Sequence, residues 1–229
     1  MLLLTGCVSL TPSTEAPTEV SVQGWISQSP LAAEDEVMAT GEVTYFDLNL
    51  IELTAAEQPF QNYPGYWRAT LPADEEYNLV VDGGDGYYPA LYRGRAPTGD
   101  ALSFPIFGFN AAQIDPFFES LEEVIGVDIH IGTEDLVHVW GTVDPDYAVA
   151  GSEIAVYSND AAVGVFPFFI NDDGVLEQSV DDDADYFFAF NLAPGRVTVA
   201  FEEDGVVTEE RYDCLGGEIV SAAYFRGSR

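Results

Sequence analysis

Hydrophobic and polar residues alternate through much of this chain, the period-two mark of strands with one buried face. In a first such stretch Val20, Val22, Gly24 and Ile26 fall on one side, and Val137, Val139, Gly141 and Val143 repeat the spacing in the second half. In both, a glycine stands between apolar positions, as expected where backbones approach closely or a strand bulges. A second element follows each opening strand: 42–54, with Phe46, Leu48 and Leu50 alternating, and 153–158, with Ile154 and Val156. Next come 66–71 and 77–82 around Pro72, presenting Trp67, Ala69 and Leu71, then Tyr77, Leu79 and Val81. Their counterparts are 186–192 and 196–201 around Ala193-Pro194-Gly195, presenting Phe188, Phe190 and Leu192, then Val197, Val199 and Phe201. Strand, Pro-bearing turn and returning strand predict a β-hairpin in each half. Stretches 87–92 and 219–225 supply the last strands. Many short strands with Gly and Pro punctuation and little helix read as sandwiches.

Between the halves the period changes. Asp115 can cap a helix with Pro116 in its first turn, and Phe117, Leu121 and Val124 follow at i, i+4 and i+7, with Phe118 and Ile125 beside them. Gly126 is a natural stop. The spacing predicts one amphipathic helix over 116–125, its stripe buried against a sandwich of the same chain.

The run Phe188-Ala189-Phe190-Asn191-Leu192-Ala193-Pro194-Gly195-Arg196-Val197-Thr198-Val199 resembles the hairpin of carboxypeptidase-regulatory-like (transthyretin- or prealbumin-like) domains, and Gly141 and Gly151 match that family's opening strand and small-residue turn. The first half carries the pattern less closely, with Ala73 rather than Gly after Pro72, although Tyr77 keeps an aromatic position. The resemblance spans 136–225 and, more weakly, 19–94. It implies a Greek-key sandwich used as a spacer, docking module or binding domain, and implies no enzymatic activity. The expected fold is all-β: two Greek-key prealbumin-like sandwiches, joined by a segment with one short helix.

Composition adds the setting. Forty acids face seven Arg and no Lys, a formal net charge of −33. Such a surface repels phosphate and anionic headgroups, so nucleic acid is excluded as a partner. It also repels itself unless counter-ions screen it, and at about 1 M salt the screening length is roughly 3 Å. Adaptation to a saline exterior and an ordinary acidic secreted protein both fit.

The chain opens Met1-Leu2-Leu3-Leu4-Thr5-Gly6-Cys7, in which Leu4-Thr5-Gly6-Cys7 resembles a lipobox. That resemblance implies cleavage before Cys7 and a diacylated Cys7 as the new N-terminus. Only six residues precede Cys7 and none is basic, short of the roughly 7–15 apolar residues of an export signal; either the start lies upstream or the match is accidental. Residues 9–19, rich in Ser, Thr, Pro and Glu, read as a polar tether. The expected organisation is 1–19, signal remnant and tether; 20–95, first β-sandwich; 96–134, connector with helix 116–125; and 135–229, second β-sandwich.

No Gly-x-Ser-x-Gly elbow, phosphate-cradling loop or His-Glu-x-x-His helix is present in the sequence, so no catalytic residue is assigned and the chain reads as a non-enzyme. Cys7 and Cys214 lie too far apart in kind and place to read as a disulfide; Cys214 reads as a small buried apolar residue. His130 and His138 read as strand residues pointing outward or capped by a carboxylate. Asp-rich turns put Asp172, Asp173, Asp181 and Asp183 where carboxylates and free carbonyls could meet Ca²⁺, the one cofactor considered. In so acidic a chain such runs are expected as solvated loops, and none fits the twelve-residue EF-hand spacing. Tyr66, Tyr87 and Tyr88 belong to an aromatic group that could form a ligand platform, although alternation also assigns part of that group to the core. The expected function is a non-catalytic, exported, lipid-anchored acidic protein at the cell envelope, structural or adhesive, meeting the membrane through its anchor and an unknown protein or glycan partner. A carbohydrate- or calcium-binding module is the alternative.

Overall fold

The computed structural model describes residues 18–32, 36–38, 41–47, 52–55, 65–95, 101–102, 106–143, 153–170, 176–179, 184–203 and 205–224. Cys7, the tether up to Pro17, and Asp172, Asp173, Asp181 and Asp183 lie outside the described residues.

The first half forms β1 (Glu19–Ser27), β2 (Glu42–Phe46), β3 (Glu52–Ala55), β4 (Tyr66–Pro72), β5 (Glu76–Asp82), β6 (Tyr87–Tyr88) and β7 (Ala90–Arg95). Two-residue strands β8 (Ala101–Leu102), β9 (Ile106–Phe107) and β10 (Phe109–Asn110) lead into helix α1 (Ala111–Ile125). The second half forms β11 (Val137–Val143), β12 (Glu153–Ser158), β13 (Ala161–Val163), β14 (Phe166–Ile170) and β15 (Leu176–Gln178). It closes with β16 (Tyr186–Leu192), β17 (Gly195–Glu203), β18 (Val206–Cys214) and β19 (Ile219–Tyr224). The described chain is mainly strand with this one helix, an all-β sandwich architecture.

A nine-stranded sheet, in the order β15-β14-β16-β11-β19-β7-β5-β2-β3, runs through the molecule. Strands of both halves join in it where β19 pairs in parallel with β7, Ile219 opposite Ala90 and Val220 opposite Leu91. Alternation then sends side chains to two cores, one on each side. Tyr45, Leu79, Tyr92, Trp140, Phe188 and Ile219 face the sheet β4-β1-β8 and helix α1, meeting Val22, Trp67 and Phe118 in one cluster. Leu91, Val139, Phe187, Ala189 and Val220 face the sheet β13-β12-β17-β18, meeting Val156, Val199 and Tyr212 in the other. Both faces of the central strands are covered, so β11 is buried at nearly every position, as in sheets sandwiched between two layers.

The predicted hairpins are not hairpins. β4 pairs with β1, whereas β5 pairs with β2 and β7. Likewise β16 pairs with β11 and β14, whereas β17 pairs with β12 and β18. Each Pro-bearing turn carries the chain from one sheet to the opposite one, so that inward rows such as Trp67, Ala69 and Leu71 meet Tyr77, Leu79 and Val81 through the core instead of along a ladder. The stretch expected as one element over 42–54 is two antiparallel strands, β2 and β3, with Thr44 opposite Ala55; Leu48 and Leu50 lie outside the described residues. Gly141 has the close approach its position implied: a Cβ there would stand 1.9 Å from the Phe187 ring.

Helix α1 starts earlier than predicted. Asn110, not Asp115, is the N-cap, its side-chain oxygen accepting from Ala112 N–H at 3.0 Å. Pairing of Phe109 and Asn110 with Tyr88 and Tyr87 fixes the backbone where the helix begins, which local capping chemistry could not reveal. The buried stripe is accordingly Ile114, Phe118 and Leu121, while Val124 is 51% exposed. Gly126 ends the helix as predicted, left-handed at φ 68° and donating to Glu122 C=O.

Candidate functional site

The outer face of β1 and β4 is the candidate site. On β1, Val20, Val22 and Ile26 turn inward, which turns Ser21, Gln23 and Trp25 outward. On β4, Trp67, Ala69 and Leu71 turn inward, which turns Tyr66, Arg68 and Thr70 outward. Antiparallel register sets these in three cross-strand rows: Trp25 opposite Tyr66, Gln23 opposite Arg68, and Ser21 opposite Thr70.

Trp25 is half exposed, and its ring meets Tyr66 edge-on, centroids 5.3 Å apart and planes inclined by 67°. The Tyr66 hydroxyl donates a short hydrogen bond to Gln23 Oε1. Arg68 Nε donates to Ser21 Oγ at 3.0 Å. The side chains are thus held to one another, and an apolar ring stays open to solvent beside amide, guanidinium and hydroxyl groups. Chemically the face can stack against C–H groups and donate hydrogen bonds. Arg68 is a notable choice for it, since cations are scarce in this chain.

Tyr66 belongs to this face; Tyr87 and Tyr88 do not. Tyr87 packs over Gly83, where a Cβ would come within 2.2 Å of its ring. Tyr88 donates to Asp115 Oδ1 at 2.7 Å, tying β6 to α1, and burial with that carboxylate pushes its phenol well above the ordinary range. Both serve to seat the helix. Trp25, absent from the residues singled out by sequence, is the centre of the face. The signal for it was the inward set Val20, Val22 and Ile26, which leaves Trp25 facing out. Grouping aromatics by nearness along the chain hid it, because Tyr66 is far from Trp25 in sequence.

The remaining chemistry-bearing side chains are withdrawn. His138 is neither outward nor capped by a carboxylate: it is 1% exposed, Nε2 meets no partner among the described residues, and Nδ1 has a long 3.5 Å contact from Asn191 N–H. Burial, the largest cause, pushes its imidazole down to about 4, with the His130 backbone opposing the shift and the His130 side chain adding to it least. Cys214 is free and buried, its thiol pushed up by burial and by Glu218 and Asp213. Glu210 is raised by burial, while its bond from the Tyr212 hydroxyl at 2.6 Å and the Arg93 charge oppose the rise. Arg93 in turn pairs with Glu76 at 2.7 Å and donates a short bond to Arg211 C=O, linking β5, β7 and β18. Among the described residues no group of three or more His, Cys, Asp or Glu is placed to hold a metal ion. No helix among them is long and apolar enough to cross a membrane.

No family model matches the chain, and no curated protein matches it. Two solved structures are similar in outline. The Bacillus anthracis TIE protein is 13% identical with a TM-score of 0.32, over 90% of this chain and 34% of that one. The family CBM26 module CBMbc of Eubacterium rectale Amy13K, solved with maltoheptaose, is 8% identical with a TM-score of 0.25, over 92% of this chain and 94% of that one. The chain spans about a third of the length of the TIE structure. Likenesses at these TM-scores carry no argument about function.

Proposed function

We propose that this chain is a non-catalytic adhesive module of the cell exterior, tethered at the envelope through Cys7 and binding carbohydrate on the outer face of β1 and β4. The observation that carries the reading is Trp25: a large indole left half exposed on an outward strand face, edge-on to Tyr66 and bordered by Gln23 and Arg68. Exposing that much apolar surface forgoes burial energy, and an aromatic with polar neighbours suits a partner that is apolar on one face and polar around its rim. A pyranose ring has that shape, with C–H groups on its faces and hydroxyls at its edge. The withdrawal of His138 and Cys214 from solvent favours a non-catalytic role. The tether and anchor rest on Leu4-Thr5-Gly6-Cys7 and the polar residues after it.

Two outcomes are expected. In a glycan array followed by calorimetry, Trp25→Ala weakens binding about tenfold or more, the loss of roughly 1.4 kcal/mol or more. The variant still folds cooperatively, with a melting temperature a few degrees lower from the lost half-buried ring and its contact with Tyr66. A variant that binds as well as wild type overturns the site. Labelled fatty acid is expected to enter the exported protein and to be lost in Cys7→Ala; unchanged labelling overturns the anchor.

A further inference from the structure

We infer, resting on the carbohydrate reading above, that the ligand is a single uncharged glycan chain, and neither a packed polysaccharide surface nor a polyanion. The first ground is ring geometry. A crystalline polysaccharide presents sugar rings in one plane and calls for aromatic rings lying in one plane beneath it. The Trp25 and Tyr66 planes are inclined by 67° at a centroid distance of 5.3 Å. They cannot both lie flat against such a surface, whereas one sugar ring can stack on the exposed indole with the inclined Tyr66 ring meeting it at a corner.

The second ground is what borders the corner. The Tyr66 hydroxyl donates to Gln23 Oε1, which leaves the Gln23 amide nitrogen as the donor for a ligand. Arg68, with Nε engaged by Ser21, adds guanidinium donors in the next row. The three rows span about 13 Å at the usual strand rise, the reach of a short oligosaccharide. Donors of this kind serve sugar hydroxyl and ring oxygens, and they would also serve a carboxylate.

Charge decides between those two. One guanidinium stands on a chain of formal charge −33, and each further negative charge on a ligand meets that field again. A neutral chain gains the stacking and the hydrogen bonds without this penalty.

The test is calorimetry of the full chain against neutral soluble gluco-, malto-, xylo- and manno-oligosaccharides and against polygalacturonate, with co-sedimentation on crystalline cellulose and chitin. Each arm runs at low and at high salt. The expected result is binding of at least one neutral oligosaccharide, with an affinity that changes less than twofold with salt and falls at least tenfold in Trp25→Ala. Arg68→Gln keeps measurable affinity for the neutral chain. Retention on the crystalline solids without binding of soluble chains, or tighter binding of polygalacturonate at low salt, overturns this inference and leaves the carbohydrate reading standing. No binding in any arm overturns both.

Discussion

On β11 an imidazole occupies a position that a core side chain would normally take. His138 is 1% exposed, shares its face with Trp140, and lies 6.2 Å from the Phe190 ring. An unfolded chain takes up a proton near the ordinary value of 6.5, whereas the folded imidazole holds off until about 4. A depressed folded value means stability that is complete above pH 6.5 and lost as pH falls toward 4, on the order of 3 kcal/mol in all. Glu210 and Glu218 work the other way. Burial raises both carboxyls, so their ionised forms strain the fold and lowering the pH relieves it. NMR titration is expected to show His138 neutral to about pH 4, and denaturation of His138→Asn is expected to lack the acid loss attributed to the imidazole. A His138 titrating at 6.5 contradicts its burial. Sequence could place His138 on a strand but not in the core, since in β11 both faces are covered and alternation there no longer separates inside from outside.

At the scale of elements, α1 shows how a cap is chosen. Asp115-Pro116 is a locally sound helix start, yet Asn110 takes the position because β10 pairs with β6 immediately before it. Asp115 is left free to accept the Tyr88 hydroxyl instead. Removing the cap with Asn110→Ala is expected to cost about 1 kcal/mol by denaturant unfolding, and Asn110→Asp much less, because either oxygen can serve the Ala112 N–H. Equal losses in the two would mean that the Asn110 side chain acts elsewhere. The strands on either side of each Pro-bearing turn carry a similar lesson. In the first half the inward rows were legible, since a hairpin and a turn between opposite sheets put the same rows inward. In the second half Phe188 and Phe190 turn to the core beneath α1 while Leu192 turns to that beneath β17, because β16 is covered on both faces. Strand β18 escaped notice for a related reason. It lies at the end of its sheet and its first four positions are exposed, so it carries little apolar alternation to detect.

At the scale of the molecule, charge and sheet continuity dominate. Spread over a sphere of roughly 20 Å radius, the net charge of −33 opposes one more negative charge by about 2 kcal/mol at physiological salt, and by under about 1 kcal/mol at 1 M. The compact state bears the same repulsion among its own carboxylates, whereas an expanded chain spreads them apart. The melting temperature is therefore expected to rise by about 5–10 °C between about 0.1 M and 1 M salt, a gain of a few kcal/mol. A flat salt profile would remove adaptation to a saline exterior as an explanation of the composition. Among the scarce cations, Arg93 on β7 ties that strand to β5 and β18 through Glu76 and the Arg211 carbonyl.

By itself the amino-acid order determined which side chains face inward along strands such as β1, β4, β5 and β17, where the helix ends, and that the chain is strongly acidic. These follow from local facts: a strand alternates every two residues, glycine tolerates a left-handed stop, and charge is a sum. Tertiary structure alone decided which strand lies beside which, that β19 joins β7, that Asn110 caps α1, and that Trp25 stands against Tyr66. Strand pairing depends on hydrogen bonds and contacts between residues far apart in the chain, and a period of two carries no record of them.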